Sequence, residues 1–183
     1  MRGTACLLLM LAALGGCNRK KQVAPEAAAS SRPADFTERF DSKNGLLTLH
    51  FPAGFKASQD GKHSVILARN LPDGRDEAIS FVAVPHPITN DLTKFSHAVQ
   101  EAGASKLNKF HLDAQHAARC NGNDGMEVVG TWVDADSNVT ITRKSCAFLH
   151  AGHGFAFSYS IPQELAAGHD ALLHAIVEAA ELK

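Results

Sequence analysis

The period of the hydrophobic positions changes along the chain, and the changes predict the elements. Leu47, Leu49 and Phe51 share one face of an alternating run, the signature of a strand, and Pro52, Ala53 and Gly54 end it in a turn. Ser64–Ala68 and Ala78–Val84 read as two more strands. The second is apolar on both faces, as a central strand is, and stops at Pro85 and Pro87. The period then lengthens. Leu92, Phe95, Val99 and Ala102 fall on one side of a helix over Asp91–Ala102, with Asn90 placed to cap it and Gly103 to stop it. Strand patterning returns at about Phe110–Ala118, Met126–Asp134, Asn138–Leu149 and Phe155–Ile161. Turn-like joints at Asn121–Gly125, Asp134–Ser137 and Ala151–Gly154 make this part a meander. Leu172, Leu173, Ile176, Val177 and Ala180 stripe a closing helix over Asp170–Leu182.

Strands, a helix, a strand meander and a helix define an α+β fold. A mainly antiparallel sheet of about six or seven strands, with the helices packed on it, buries both helix stripes. The segment Leu47-Thr-Leu-His-Phe-Pro-Ala-Gly-Phe55 resembles the opening of PsbP-like domains, an alternating strand followed by Pro-x-Gly-aromatic, with Phe55 where tryptophan is common. The strand ending at Pro85, the helix, the meander and the closing helix follow the same order over residues 45–183. The resemblance implies a PsbP-like sandwich and a binding or assembly module rather than an enzyme. That grouping includes a photosystem II subunit, a Ran-binding import factor and DcrB-like bacterial lipoproteins. None of its binding residues maps onto a position here.

The N-terminus adds an address. Met1-Arg2 precedes nine apolar residues, Cys6–Leu14, too few to span a bilayer but enough for the core of a secretory signal. Leu14-Gly15-Gly16-Cys17 resembles the lipobox of bacterial lipoproteins, which implies that the Cys17 thiol is diacylglycerylated, that the signal is cut before it and that the new amino group is acylated. The expected organisation is therefore a signal peptide over 1–16, the lipidated Cys17 and a flexible linker over 17–35, and the domain over 36–183. Pro25, Pro33 and an Ala/Ser run mark the linker, and Arg19, Lys20, Lys21 and Arg32 make it basic. More than one acyl chain on Cys17 would hold the protein stably on a membrane. Asn18, where Asp commonly signals inner-membrane retention, favours the periplasmic face of the outer membrane. The last group of the resemblance, the DcrB-like lipoproteins, fits this address.

Composition narrows the function classes. A formal net charge of −1 excludes a strongly basic nucleic-acid binder, so the expected partners are the membrane, through the lipid, and an envelope protein. Beyond Cys17 the mature chain has Cys120 and Cys146, and pairing them is the economical reading in an oxidising compartment. Regular registers place both opposite Gly125, flanking one strand at about 9–10 Å. A disulfide needs Cα atoms within about 7 Å, so the glycine-rich joint has to leave the ladder. The alternative, a reactive thiol, lacks a CxxC or Cys-His context. Ten histidines in a near-neutral chain form a reservoir of positive charge on mild acidification. His150 and His153, in one hairpin joint, are the weak candidates for a metal or hydrolytic site, and no HExxH or further ligand motif completes them. No GxSxG, GxGxxG or P-loop occurs, so neither a cofactor nor catalysis is expected; a structural envelope role is the remaining alternative. Trp132, Phe148 and Phe155–Tyr159 could line a groove, but strand aromatics more often fill a core.

The anchor is directly testable. Cys17→Ser should release the protein from membranes, read by fractionation after high-salt washing. Retention of the variant in the washed pellet would reject the lipobox reading.

Overall fold

The computed structural model describes residues 33, 35–105 and 107–183; the signal segment, Cys17 and nearly all of the linker lie outside them. The described residues form ten strands and two helices. A three-stranded sheet is built from β1 (Glu38–Asp41), β2 (Leu47–Phe51) and β10 (Glu181–Leu182), in the order β1-β2-β10. A seven-stranded antiparallel sheet is built from β3 (Lys56–Asp60), β4 (Ser64–Asn70), β5 (Asp76–Val84), β6 (His111–Cys120), β7 (Asn123–Val133), β8 (Thr140–His150) and β9 (His153–Pro162), in the order β3-β4-β5-β9-β8-β7-β6. Helix α1 spans Leu92–Ala104 and α2 spans Ala166–Glu178, the latter entered through a short 3-10 turn at Gln163–Leu165. This is the α+β architecture that the periodicity predicts.

The two faces of the large sheet are covered differently. On one, Leu47 and Leu49 of β2 and Leu173 and Ile176 of α2 meet Leu67, Ile79, Phe81, Phe148, Phe155 and Phe157, all buried. Phe157 makes edge-on contacts with Phe81 and Phe148, with centroids 5.1 and 5.2 Å apart. On the opposite face α1 lowers Phe95 onto Ala147 and Ala156, the small residues that alternate with these aromatics along β8 and β9. Close approach is the reason for their size. A Cβ on Gly154 would stand 2.6 Å from the Phe95 ring.

Four elements differ from the sequence expectation. Strands β1 and β3 carry no apolar alternation (Glu-Arg-Phe-Asp and Lys-Ala-Ser-Gln-Asp) and exist because β2 and β4 offer them free edges. The N-cap of α1 is Asp91 rather than Asn90, its carboxylate accepting from the Lys94 amide, and Gly103 lies within the helix instead of ending it. The closing helix starts and stops earlier than its apolar stripe. It ends at Glu178 because the Asn121 carboxamide donates to the Val177 and Ala180 carbonyls, both at 2.8 Å, and the freed residues Glu181–Leu182 pair with β2.

The register around the cysteines also differs. The β6–β7 turn is the two-residue Asn121–Gly122, both at positive φ, so Cys120 pairs with Asn123; the longer β7–β8 connection sets Cys146 opposite Glu127. The two cysteines straddle β7 on either side of Gly125, at disulfide distance with Cα atoms 6.3 Å apart. Two regular strand spacings would be about 9–10 Å, so β6 and β8 fold toward each other over β7. Gly125 permits it: a Cβ there would lie 3.2 Å from each sulfur and 2.9 Å from the Ala147 carbonyl oxygen.

Closing this loop is worth roughly 3 kcal/mol by chain entropy. Alkylation of the denatured, unreduced mature chain should label neither Cys120 nor Cys146, and reduction should lower the denaturant midpoint accordingly. Two labelled thiols would reject the bond.

Candidate binding surface

The large sheet is longer than its covers. The small sheet and α2 lie over β4, β5, β9 and part of β8, while β6 and β7 project beyond them as a wing. His111–Ala117 of β6 are all exposed, and the outer edge of this strand pairs with nothing among the described residues. Its apolar pattern is weak, and Asp113, His116 and Arg119 place charges along it. Polar edges discourage self-pairing.

Between the wing and α2 runs a polar cleft floored by Cys120 and Cys146 and flanked by Glu127, Lys144, His174 and Glu178. Register assembles it. Glu127 lies opposite Cys146 on β8 and beside His116 of β6, whose Nε2 is 3.3 Å from the Glu127 carboxylate. One step along the same face, Lys144 lies opposite Tyr159 of β9, its ammonium 5.8 Å from the ring centre. Asp170 from the first turns of α2 joins them, accepting from both the Lys144 ammonium and the Tyr159 hydroxyl. Burial, then the Asp170 hydrogen bond and charge, push the Tyr159 phenol far above its ordinary value. Partial burial of Asp170 opposes its ionisation, but the bonds from Lys144 and Tyr159 outweigh this and hold its carboxyl low.

One residue nearer the start of α2, His169 reaches the fully buried Glu77 of β5 at 2.8 Å, and Arg69 of β4 donates to the same carboxylate while lying 4.7 Å over the Phe55 ring. A buried carboxylate is tolerable only with such partners. The helix is therefore fastened to the sheet by polar contacts near its start, at Asp170 and at its end. These contacts position the helical wall of the cleft.

The residues singled out from sequence fall in different places. Cys17 lies outside the described residues. Cys120 and Cys146 form the cleft floor. His150 and His153 flank the Ala151–Gly152 turn, but Nδ1 of His150 meets Asn123 Oδ1 and Nδ1 of His153 meets the Pro85 carbonyl, each at 2.8 Å, so the rings are engaged by strands on opposite sides. Among the described residues no group of three or more His, Cys, Asp or Glu is placed to hold a metal. Of the ten histidines, His63, His86, His97, His111, His116 and His174 are exposed, which puts most of the titratable charge at the surface. Phe148, Phe155 and Phe157 are core, and of that aromatic run Phe157 and the less buried Tyr159 line the cleft. Lys144, Glu127 and Asp170 have no sequence signal, because β7, β8 and α2 bring them together only in the fold.

A seven-stranded antiparallel sheet with one helix on one face, and a helix with a small sheet on the other, is the PsbP-like α+β fold. The solution structure of cyanobacterial PsbP (CyanoP) from Synechocystis sp. PCC 6803 superposes with a TM-score of 0.60 at 13% identity, covering 87% of this chain and 100% of that one. LpqN of Mycobacterium tuberculosis, described as involved in cell envelope biogenesis, gives 0.53 at 11% identity over 80% of this chain and 90% of its own. A Bacteroides thetaiotaomicron protein gives 0.56 at 12% identity over 80% of this chain and 48% of its own. No protein-family profile and no curated protein sequence matches the chain, so the likeness is one of fold.

Tyr159 is the chain's single tyrosine, so phenolate absorbance reports the cleft alone. Because the fold retains this proton and the unfolded chain releases it near pH 10, the contribution of Tyr159 to stability is complete below about pH 10 and declines above it. The phenolate band should appear only with alkaline unfolding, and Asp170→Asn should move it toward, without reaching, the ordinary value. A phenolate transition near pH 10 in the folded protein would contradict this geometry.

Proposed function

We propose that this chain is a lipid-anchored protein of the cell envelope whose domain is a binding or assembly module rather than an enzyme, and that it holds a partner protein through the β6–β7 wing and the cleft beside α2. The observation that carries the reading is the wing: a ten-residue edge strand exposed over its first seven residues, beside a cleft of alternating charge. Exposed strand edges and mixed-charge faces suit protein recognition, in which backbone pairing supplies affinity and side chains supply specificity. The envelope assignment is supported by Leu14–Cys17 and by the envelope role stated for LpqN. Acylated Cys17 and the basic linker would tether the domain close to the headgroups, on the periplasmic face of the outer membrane if the cell has one.

The test is site-specific photocrosslinking in intact envelopes. A crosslinker at Gln115 on β6 should give a discrete protein adduct, and one at Ser58 on the opposite edge strand β3 should not. Absence of any adduct from Gln115, or the same adducts from both edges, would overturn the assignment of the wing.

A further inference from the structure

The face that carries α1 holds a cation that makes no ion pair among the described residues. Arg143 lies near the middle of β8, half-buried, and its guanidinium rests against the C-terminal part of α1. Its one hydrogen bond among the described residues goes to a neutral partner, from Nη2 to Ser158 Oγ at 3.1 Å. Guanidinium offers five N–H donors in a fixed fork, so most of them are unused here. Burial lowers its pKa from the ordinary guanidinium value.

The surroundings are built for this group. Gly103 is a glycine inside a helix, at a cost of about 1 kcal/mol relative to alanine. A Cβ there would fall 2.7 Å from Arg143 Nη2 and 3.0 Å from Nη1, so with glycine the fork lies against the helix without having to shift. Register adds hydroxyls. Ser80, Ser158 and Ser145 form one cross-strand row on β5, β9 and β8, and Ser160 lies directly opposite Arg143. The cavity beside the fork is about 10 Å³, the room of one oxygen atom; Arg143, Ser145 and Gln100 are its polar walls, and Phe110 and Val128 its apolar ones. Trp132 shares this face of the sheet, and its indole N–H is buried without an acceptor.

A helix-dipole role alone would account for part of this, since α1 has no basic residue in its last turn. That role needs only a positive charge, which lysine would supply. It does not call for a planar fork held by a hydroxyl beside a cavity. We propose that Arg143, oriented by Ser158 and with Ser145 beside it in the cavity, forms a binding site for an oxyanion, a carboxylate or phosphate group of a ligand that seats one oxygen in the cavity beside α1. Bidentate recognition of such groups is what the guanidinium geometry favours. The site lies on the sheet face opposite the cleft, so it is separate from the proposed partner surface.

Trp132, the only tryptophan, serves as the reporter. The full-length chain in detergent is titrated with inorganic phosphate and, separately, with propionate, against chloride at equal ionic strength. A saturable fluorescence change with either probe is expected, with affinity reduced at least tenfold in Arg143→Lys and lost in Arg143→Met. The Arg143 Nε–H resonance of the wild type should shift along the same curve, a measurement that stands even if a variant fails to fold. Phosphate alone or propionate alone would fix the oxyanion class. No saturable response beyond chloride, or a response that Arg143→Lys leaves unchanged, would overturn the site and leave Arg143 as a charge for the end of α1.

Discussion

The fold turns on a side chain that ends a helix distant from it in the sequence. Asn121 sits in the left-handed turn between β6 and β7, a conformation that asparagine tolerates better than most residues. Its carboxamide satisfies the last carbonyls of α2, 56 and 59 residues away in sequence, and its backbone N–H meets the Glu178 carboxylate at 2.7 Å. Helix ends leave carbonyls that need donors. Here the donor is bonded to Cys120, so the helix end, the hairpin turn and the cysteine pair are one joint. Release of the chain at Ala179 lets Glu181–Leu182 complete the small sheet, which closes the core over β2.

Against that joint, the apolar and polar ties of α2 divide the work. Leu173 and Ile176 supply the burial, but a stripe of leucines can slide or rotate by a fraction of a turn on a flat sheet. His169 on Glu77, Asp170 on Lys144 and Tyr159, and Asn121 at the end fix both rotation and translation. The cleft needs this, since its helical wall must face strands whose own positions are set by the ladder. The other helix needs less: α1 lies on alanines and a glycine and is positioned mainly by Phe95.

What the sequence made legible follows from where each piece of information resides. Strands β2, β4 and β5, the helix around Phe95 and the meander were readable because their burial is periodic, and burial is a local pattern of residue types. Strands β1 and β3 were not, because a polar edge strand is created by its neighbour's free hydrogen bonds. The end of α2 was misplaced because its cap comes from Asn121. The cysteine pairing was readable from composition, yet its geometry was not, since two-residue and longer turns shift the register by whole residues and only Gly125 explains how the gap closes. Of the cleft, Tyr159 could be flagged as an aromatic in a strand. Lys144, Glu127 and Asp170 look like ordinary surface charges until three elements converge on them, and Gly103 reads locally as a helix stop.

The glycine beneath the cysteine pair answers to more than the sulfurs. A Cβ at residue 125 would stand 2.9 Å from the Ala147 carbonyl oxygen, a backbone atom that stays when either cysteine is lost. The dependence therefore runs one way: the bond needs the glycine, but the glycine does not need the bond. Descendants of this chain that lose Cys120 or Cys146 should still keep Gly125, and the place that admits the bond outlasts the bond itself.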